Sequence, residues 1–331
     1  MAQATEYSEI SAIANKKTDQ LDIITLVEPA ETPIFTSAQK YRKVNSSVFE
    51  YYADSLDDVS LDTVADGKDV DDFGNKTEHR VKIQQRTQIQ NKTWKVSRGL
   101  QEDTDTAGVK DEVQRAKMLC AIELKRNIEA AIGSDQEAGF SEDSGNKMRA
   151  LGAFLDEAND LIPTPVRMKE GAKAVTNGLT ESAFRKVLQT AYEATGNSKG
   201  KYRLFAGPEL QNAITGFSRT NAESGNILAA QLMAGSKEIT CSVQIYNSDF
   251  GTVFIIPSMF LGYASNGGLT DAVRGRGYLV DMDNFAISFN KNLWDEEYED
   301  RGGGRRGAVW AKYTIINKCP KAMGKFVASA A

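Results

Sequence analysis

The chain has 331 residues, an apolar fraction of 41% and a formal net charge of −5. This length fits one large domain or two to three smaller ones, and the apolar content is enough for a real core. The negative charge argues against a dedicated nucleic-acid-binding protein. No apolar run approaches the roughly 18 residues of a membrane span, and the N-terminus lacks a signal-peptide pattern, so we predict no membrane association.

Residues suited to catalysis or metal binding are few. The single histidine, His79, lies in a polar stretch that is typical of a surface strand. Cys120, Cys241 and Cys319 are far apart and lack metal-ligand spacing, so we interpret them as reduced thiols. The segment GGGRRG at 302–307 matches a nucleotide-binding glycine pattern in letters only, because a predicted strand rather than a helix follows it. We predict no enzymatic activity, no metal site and no cofactor.

Residues 1–30 are polar and only weakly patterned. Pro29 and Pro33 restrict the residues before them to extended conformations. The few apolar residues of the segment have no partner nearby in the sequence, and such segments often become ordered only against a neighbour. We therefore expect residues 1–30 to form a short helix or an ordered arm.

The next segment reverses its charge along its length. A β-prone run at 48–53 leads into a stretch of aspartates in which Lys68 is the only positive residue. After a turn at 74–75, arginines and lysines accompany the alternating apolar residues of a predicted strand. Because a two-stranded ribbon alone is marginal in water, we interpret residues 48–98 as a projecting β-arm that is stabilised on another molecule.

We expect the charges of this β-arm to meet opposite charges on neighbouring subunits. Calcium binding by the aspartates is an alternative, but the DxDxDG ligand spacing does not occur. The candidate interface residues are Asp57, Asp58, Asp66, Lys68, Asp71, Arg80, Arg86, Lys92, Trp94 and Arg98.

The longest predicted helix covers residues 105–133. Seven apolar positions recur at steps of three and four and form one narrow stripe, while the other face, including Glu129, is charged. Thr104 or Asp105 can cap its start, and Gly133 can end it in a left-handed turn. At about 1.5 Å per residue the helix spans roughly 40 Å, so we interpret it as a strut laid across other elements.

The chain from Thr180 onward is predicted to form a compact unit of helices and strands. Thr180 can cap a helix that ends at Gly196, and Pro208 can start another. Further short strands are predicted on both sides of residue 277, and a final one at 308–316. The strands are too short and irregular for a doubly wound sheet, so we assign the α+β class.

The order of these pieces resembles the major capsid proteins of tailed phages, which have the Hong Kong 97-type fold. The similarity extends over roughly residues 30–320. It rests on the stretches TPIFTSAQKYRKVNSSVFEYYADSL, RTQIQNKTWKVS, ELKRNIEAAIG, RLFAGPELQNAI, IYNSDFGTVFIIP, YLVDMDNFAISF and LWDEEYEDRGGGRRGAVWAKYTI.

The resemblance implies an α+β fold with a defined division of the chain. Residues 1–45 would be the N-terminal arm and 46–98 the extended β-hairpin loop. Residues 99–177 and 278–331 would form a peripheral domain that contains the long helix 105–133, the spine helix. Residues 178–277 would form an axial domain.

The resemblance also implies a function and a set of partners. The protein would self-assemble into the hexamers and pentamers of an icosahedral shell that encloses double-stranded DNA. Portal and scaffolding proteins, a decoration protein and genomic DNA, bound without sequence specificity, would be its partners. It would be assembled in the host bacterial cytoplasm and reside in the virion capsid. An encapsulin-like compartment, with the same fold around enzymes, and a monomeric binding module are the alternatives.

Overall fold

The computed structural model describes residues 26, 30–57, 59–69, 71, 73–102, 109, 111–143, 145–196, 201–220, 244–261 and 270–329. The helices within this part are α1 (Pro33–Ser37), α2 (Arg98–Glu102), α3 (Glu112–Ile132), α4 (Leu151–Phe154), α5 (Glu181–Thr195), α6 (Pro208–Thr220) and α7 (Asp271–Arg274). The strands are β1 (Gln39–Lys40), β2 (Val48–Asp54), β3 (Arg80–Arg86), β4 (Gln88–Ser97), β5 (Gly139–Ser141), β6 (Gly145–Lys147), β7 (Lys173–Val175), β8 (Lys201–Ala206), β9 (Ile245–Ser248), β10 (Gly251–Pro257), β11 (Gly277–Asp281), β12 (Phe285–Tyr298), β13 (Gly304–Asn317) and β14 (Gly324–Val327).

A four-stranded sheet and the long helix α3 form the first core. The strand order is β1-β12-β13-β4, and β12 and β13 make a long antiparallel hairpin. Helix α3 lies against β4 and β13. Its apolar stripe, which includes Cys120, Leu124 and Ile128, packs on Trp94 of β4 and Val309 of β13. The narrow stripe was predicted from its spacing, and it faces this sheet because the strands alternate their apolar side chains toward the helix.

Helix α3 begins at Glu112, so the predicted start at Asp105 is wrong. Asp111 lies just before the helix, and its carboxylate accepts the N–H groups of the second and third helical residues at 2.9 and 3.1 Å. An aspartate that satisfies these free donors fixes the start of a helix. The predicted caps, Thr104 and Asp105, lie outside the described residues. Gly133 ends the helix as predicted, but its φ of −81° is not left-handed.

A six-stranded mixed sheet, in the order β7-β14-β11-β8-β10-β9, forms the second core with α5 and α6. Helix α5 has the predicted limits: the Thr180 hydroxyl caps it, and Gly196, with a φ of 66°, follows its end. Helix α6 starts at Pro208 as predicted but continues to Thr220, beyond the predicted end at Ile214. Three of the six strands, β7, β11 and β14, lie wholly or mainly outside the range 178–277. The sheet is therefore assembled from three separate parts of the chain.

The predicted β-hairpin loop divides into a sheet strand and a projecting part. Strand β4 pairs along its whole length with β13 and carries Trp94 and Val96 in the core, so it belongs to the four-stranded sheet. The interpretation of the whole segment as a loop stabilised on another molecule is therefore wrong for β4, because its helix-facing side carries these two large apolar residues into the subunit's own core. Strands β2 and β3 pair separately as a two-stranded ribbon, and residues 55–79 connect them.

Glu129 joins the N-terminal arm to α3 inside the protein. It is fully buried, and its two carboxylate oxygens accept the backbone N–H groups of Ile34 and Phe35 at 2.8 Å each. These are donors of the first turn of α1, whose own N-cap residue, Thr32, gives no side-chain bond. The Ser258 hydroxyl, beyond β10, lies 3.5 Å from the same carboxylate. The prediction that Glu129 is on the charged, solvent-facing side is wrong, because the arm covers this side of the helix.

Burial and hydrogen bonding shift the pKa of Glu129 in opposite directions. Removal from water raises its pKa to about 7, although the bonds from Ile34, Phe35 and Ser258 favour the ionised form. A carboxyl whose pKa is higher in the folded than in the unfolded chain binds more protons when folded. Its contribution to stability is therefore complete below about pH 4.5 and is lost as the pH rises through about 7.

We expect Glu129→Gln to flatten the pH dependence of unfolding. The shift corresponds to a change of about 3 kcal/mol in the wild-type free energy of unfolding between pH 4.5 and 8. The glutamine cannot titrate. The free energy of unfolding of the variant, relative to that of the wild type, should therefore increase as the pH rises. Urea unfolding of the unassembled chain at several pH values measures this difference. Parallel pH profiles for the two proteins would show that the prediction is wrong.

A second charged cluster fastens the end of α3 to the six-stranded sheet. Asp135, just after the helix, bonds to Arg276 at 2.5 Å and to the Nζ of Lys325 on β14 at 2.8 Å. Lys325 is buried and also donates to the Gly152 carbonyl at 2.9 Å. A Cβ at Gly152 would collide with the Asp135 carboxylate and the Tyr278 hydroxyl, so this close approach requires glycine.

Asp135→Asn should lower the free energy of unfolding by about 2 kcal/mol, because it leaves the buried Lys325 ammonium without its counter-charge. Asp160→Asn is the matched control: its pair with Arg167 involves a carboxylate side chain that is 93% exposed. That change should cost less than about 0.5 kcal/mol. Chemical denaturation of both variants measures the difference, and equal losses would contradict the structural role of Asp135.

Candidate assembly interface

Most basic residues predicted for the interface bind acidic or polar partners within the chain. Their partners lie on other strands, on α3 and in the segment after β12, where folding brings these side chains together. The described pairs are Arg80 with Asp54 (3.0 Å), Arg86 with Asn146 (3.0 Å), Lys92 with Glu123 (3.5 Å) and Arg98 with Asp300 (2.7 Å).

Asp57 also pairs with residues of its own loop. Its carboxylate contacts the Lys76 ammonium and lies 2.5 Å from the His79 ring nitrogen Nε2. The hydrogen bond from Lys76, more than any other influence, holds the pKa of Asp57 below its usual value. His79 is thus one partner in a solvent-exposed charge cluster at the base of the loop.

Trp94 is a core residue of the subunit. Only 5% of its surface is exposed, and its indole N–H donates to Asp295 of β12 at 3.2 Å. The Lys117 ammonium of α3 lies 4.9 Å from the centre of its ring and binds Asp295 at 2.7 Å. Trp94 therefore joins β4, β12 and α3 and does not present its ring to a neighbour.

Three of the predicted interface residues remain exposed without an ion pair in the described part of the chain: Asp66, Lys68 and Asp71. Asp58 lies outside the described residues. All three are in the stretch from Ser55 to Phe73, which has no regular secondary structure where it is described. We call this stretch the acidic strip.

Large apolar side chains on the acidic strip were missed by the sequence analysis. Five of them point into solvent: Leu56 (96% exposed), Val59 (95%), Leu61 (93%), Val64 (70%) and Phe73 (82%). Their spacing has neither helical nor strand periodicity, so only their number within an acidic segment could have indicated them. Several large apolar side chains exposed on one short stretch are typical of an interaction site.

The family model described as SU10 major capsid protein matches residues 3–329. The chain belongs to this family. No curated protein sequence matches it. Its family consists of structural shell subunits, so the protein is a shell-forming major capsid protein of the tailed-phage type and not an enzyme. This decides between the capsid and the encapsulin-like alternatives. No helix in the described residues is long and apolar enough to cross a membrane.

Solved capsids have the same fold with little sequence identity. The capsid protein of a native GTA particle superposes with a TM-score of 0.61 at 12% identity, covering 99% of this chain and 100% of that one. Gordonia phage Cozz gives 0.59 at 14% identity, covering 96% and 92%. Mycobacterium phage Bobi gives 0.60 at 9% identity, covering 96% of each chain. These similarities confirm the predicted α+β capsid fold.

Trp94→Ala should destabilise the unassembled major capsid protein by about 3–5 kcal/mol, because it leaves a cavity between the sheet and α3. Thr93→Ala, on the exposed side of the same strand, is the control and should cost less than about 1 kcal/mol. Urea unfolding of both variants distinguishes a core role from an interface role. Unchanged unfolding of Trp94→Ala combined with loss of assembly would restore Trp94 as an interface residue.

Proposed function

We propose that this capsid protein assembles into hexamers and pentamers of an icosahedral shell around double-stranded DNA, and that the acidic strip overlaps a neighbouring subunit. The exposure of its five apolar side chains carries this proposal. Each such side chain contributes roughly 1.5–3 kcal/mol when it is fully buried. The entropy lost when the strip becomes ordered offsets part of that gain, so the contact between one pair of subunits would be weak. Closure of the ring would supply the remaining stability of the assembly.

The strip is long enough to reach beyond its own subunit. Residues 55–79 connect the ends of β2 and β3, and a chain of that length folded back on itself extends roughly 40 Å at about 3.3 Å per residue. Salt bridges at its base, from Arg80 to Asp54 and from Lys82 to Glu50, hold the ribbon together. The base is thus organised by the subunit, and the outer part is left for a neighbour.

The division into domains supports the same proposal. Residues 1–45 would be the arm, 46–98 the loop with its supporting strand, and 99–177 with 278–331 the peripheral domain around α3. Residues 178–277 would form most of the axial domain, meeting its copies around the symmetry axes. The six-stranded sheet includes strands from both sides of this range, so the axial and peripheral parts would share one sheet.

The further partners follow from the shell. A shell that fills with DNA needs a portal and a scaffold, and a decoration protein can bind its outer surface. DNA would contact scattered lysines and arginines through its phosphates, without reading of bases. Assembly would take place in the cytoplasm of the bacterial host.

Replacing residues 56–74 by a short Gly-Ser linker should leave the subunit folded and prevent shell formation. The replaced stretch makes few contacts in the subunit, because its described side chains are mostly exposed. Negative-stain electron microscopy of the purified chain, alone and co-expressed with neighbouring genes, measures assembly, and thermal unfolding measures folding.

A control for this replacement is a linker of the same kind at residues 142–144, in the short β5–β6 turn. We expect wild-type shells from the control. Wild-type shells from the variant that lacks the strip would contradict the proposed role of the strip. Small monomers from the wild-type chain under every condition would contradict shell assembly itself.

A further inference from the structure

A cavity of about 620 Å³ opens beside the turn between β12 and β13. Tyr298, Arg306 and Lys95 form one cross-strand row on β12, β13 and β4, so their side chains lie on the same face of the sheet. This face is opposite α3, because Trp94, the neighbour of Lys95, packs against that helix. We call this space the tip cavity. Its charged and hydroxyl-bearing lining residues are Thr93, Lys95, Tyr298, Glu299, Arg301 and Arg306.

Hydrogen bonds organise the turn beside the tip cavity. The Asp300 carboxylate accepts the N–H groups of Gly302 and Gly304 at 2.8 and 3.2 Å, and the Arg98 guanidinium at 2.7 Å. The two glycines have φ values of 93° and 117°, and a Cβ at Gly304 would collide with the backbone of β4. The glycines of the GGGRRG segment therefore shape the turn that carries Arg301. They offer no helix N-terminus to a phosphate, because β13 follows them directly.

Three cations of the tip cavity have no ion-pair partner in the described part of the chain: Lys95, Arg301 and Arg306. In contrast, Arg305, next to Arg306 but on the other side of the strand, pairs with Glu297 at 2.5 Å. The lining contains one carboxylate, Glu299, so three positive charges and one negative charge give a net charge of +2. Like charges around one cavity repel each other unless an anion neutralises them.

Hydrogen bonds also orient two of the side chains that line the tip cavity. Arg306 donates its Nε–H to the Glu299 carbonyl at 3.1 Å, and its two terminal nitrogens have no partner among the described residues. The Tyr298 hydroxyl accepts the Trp310 indole N–H at 3.1 Å and keeps its own proton to donate. Tyr298 is 42% exposed, so its ring can pack against a planar group.

We propose that the tip cavity binds a nucleotide by its terminal phosphate. Guanidinium groups match phosphate oxygens with paired N–H donors, and the Lys95 ammonium adds a point charge. A phosphomonoester carries close to two negative charges at pH 7, because its second pKa is about 6, and this balances the net charge of the lining. The cavity is within the range of small-molecule sites, so it has room for a sugar and a base beside Tyr298 and Thr93.

A terminal phosphate suits this cavity better than the backbone of duplex DNA. Each backbone phosphate carries one negative charge, and the charges follow one another along the strand. The three cations instead converge on one cavity at the end of the sheet. The inference goes beyond the proposed function, because a subunit can bind a nucleotide whether or not it assembles.

Isothermal titration calorimetry of the full-length, unassembled chain with deoxyadenosine monophosphate tests the proposal. We expect one site per chain. Deoxyadenosine, which lacks the phosphate, and inorganic phosphate, which lacks the sugar and the base, should each bind about tenfold more weakly or worse. Binding should also weaken as the pH falls below about 6, because the ligand then loses one negative charge.

Four substitutions locate the site. Lys95→Gln and Arg301→Gln should each weaken binding about tenfold, because each removes a charged donor. Both side chains are exposed, so thermal unfolding without ligand should stay as in the wild type. Arg305→Gln is the control: it removes the same charge outside the cavity and should leave binding unchanged. Glu299→Gln should strengthen binding about threefold or more, because it removes the carboxylate that opposes the phosphate.

The outcomes separate the inference from the proposed function. No heat of binding, or equal losses in Lys95→Gln and Arg305→Gln, would overturn the inference and leave the shell function intact. Weaker binding in Glu299→Gln would also overturn it. The same holds for a DNA duplex without terminal phosphates that binds as tightly as the nucleotide. A chain that binds the nucleotide with the expected variant pattern but never forms shells would overturn the proposed function alone.

Discussion

The structure depends on a junction at the C-terminal end of α3, where the buried side chains of Glu129 and Lys325 bind groups from distant parts of the chain. Glu129 binds the first turn of α1, and Asp135, six residues later, binds Arg276 and Lys325 beside the six-stranded sheet. Each carboxylate is satisfied only by groups distant in sequence. A buried ionisable group without its partners is costly, so the helix, the arm and both sheets must reach their positions together. The junction makes two cores into one subunit.

Local patterns predicted much of this fold, because helices and strands are selected by periodicity and end residues. The stripe of α3 and the limits of α5 follow from spacing and from Thr180 and Gly196. The role of Glu129 could not follow from the sequence. Glu129 lies at a position that the helical pattern assigns to the polar face. The segment that covers it and donates hydrogen bonds to it is 95 residues away in the sequence. Periodicity identifies which residues are polar, not which polar residues are covered.

The candidate interface shows the same limit. The reversal of charge identified the loop, but antiparallel pairing then joins Arg80 to Asp54 and Lys82 to Glu50 within the ribbon. Oppositely charged residues on adjacent strands bind each other before they can bind a neighbour. The side chains that remain exposed and without packing partners are apolar ones, such as Leu56 and Phe73, and their spacing follows no periodic pattern. Exposure, which only a structure gives, distinguishes these residues from a core.

The two kinds of contact suit two different requirements of a shell. The Glu129 carboxylate and the Lys325 side chain of this junction are buried, so salt screens their contacts little and they stay formed in a free subunit. A contact between the acidic strip and a neighbouring subunit would combine shallow apolar burial with exposed charges, which salt weakens, and it must also order a long loop. Such a contact is weak for one pair of subunits and strong for a closed ring. A misplaced subunit can therefore dissociate before closure without any loss of its own fold.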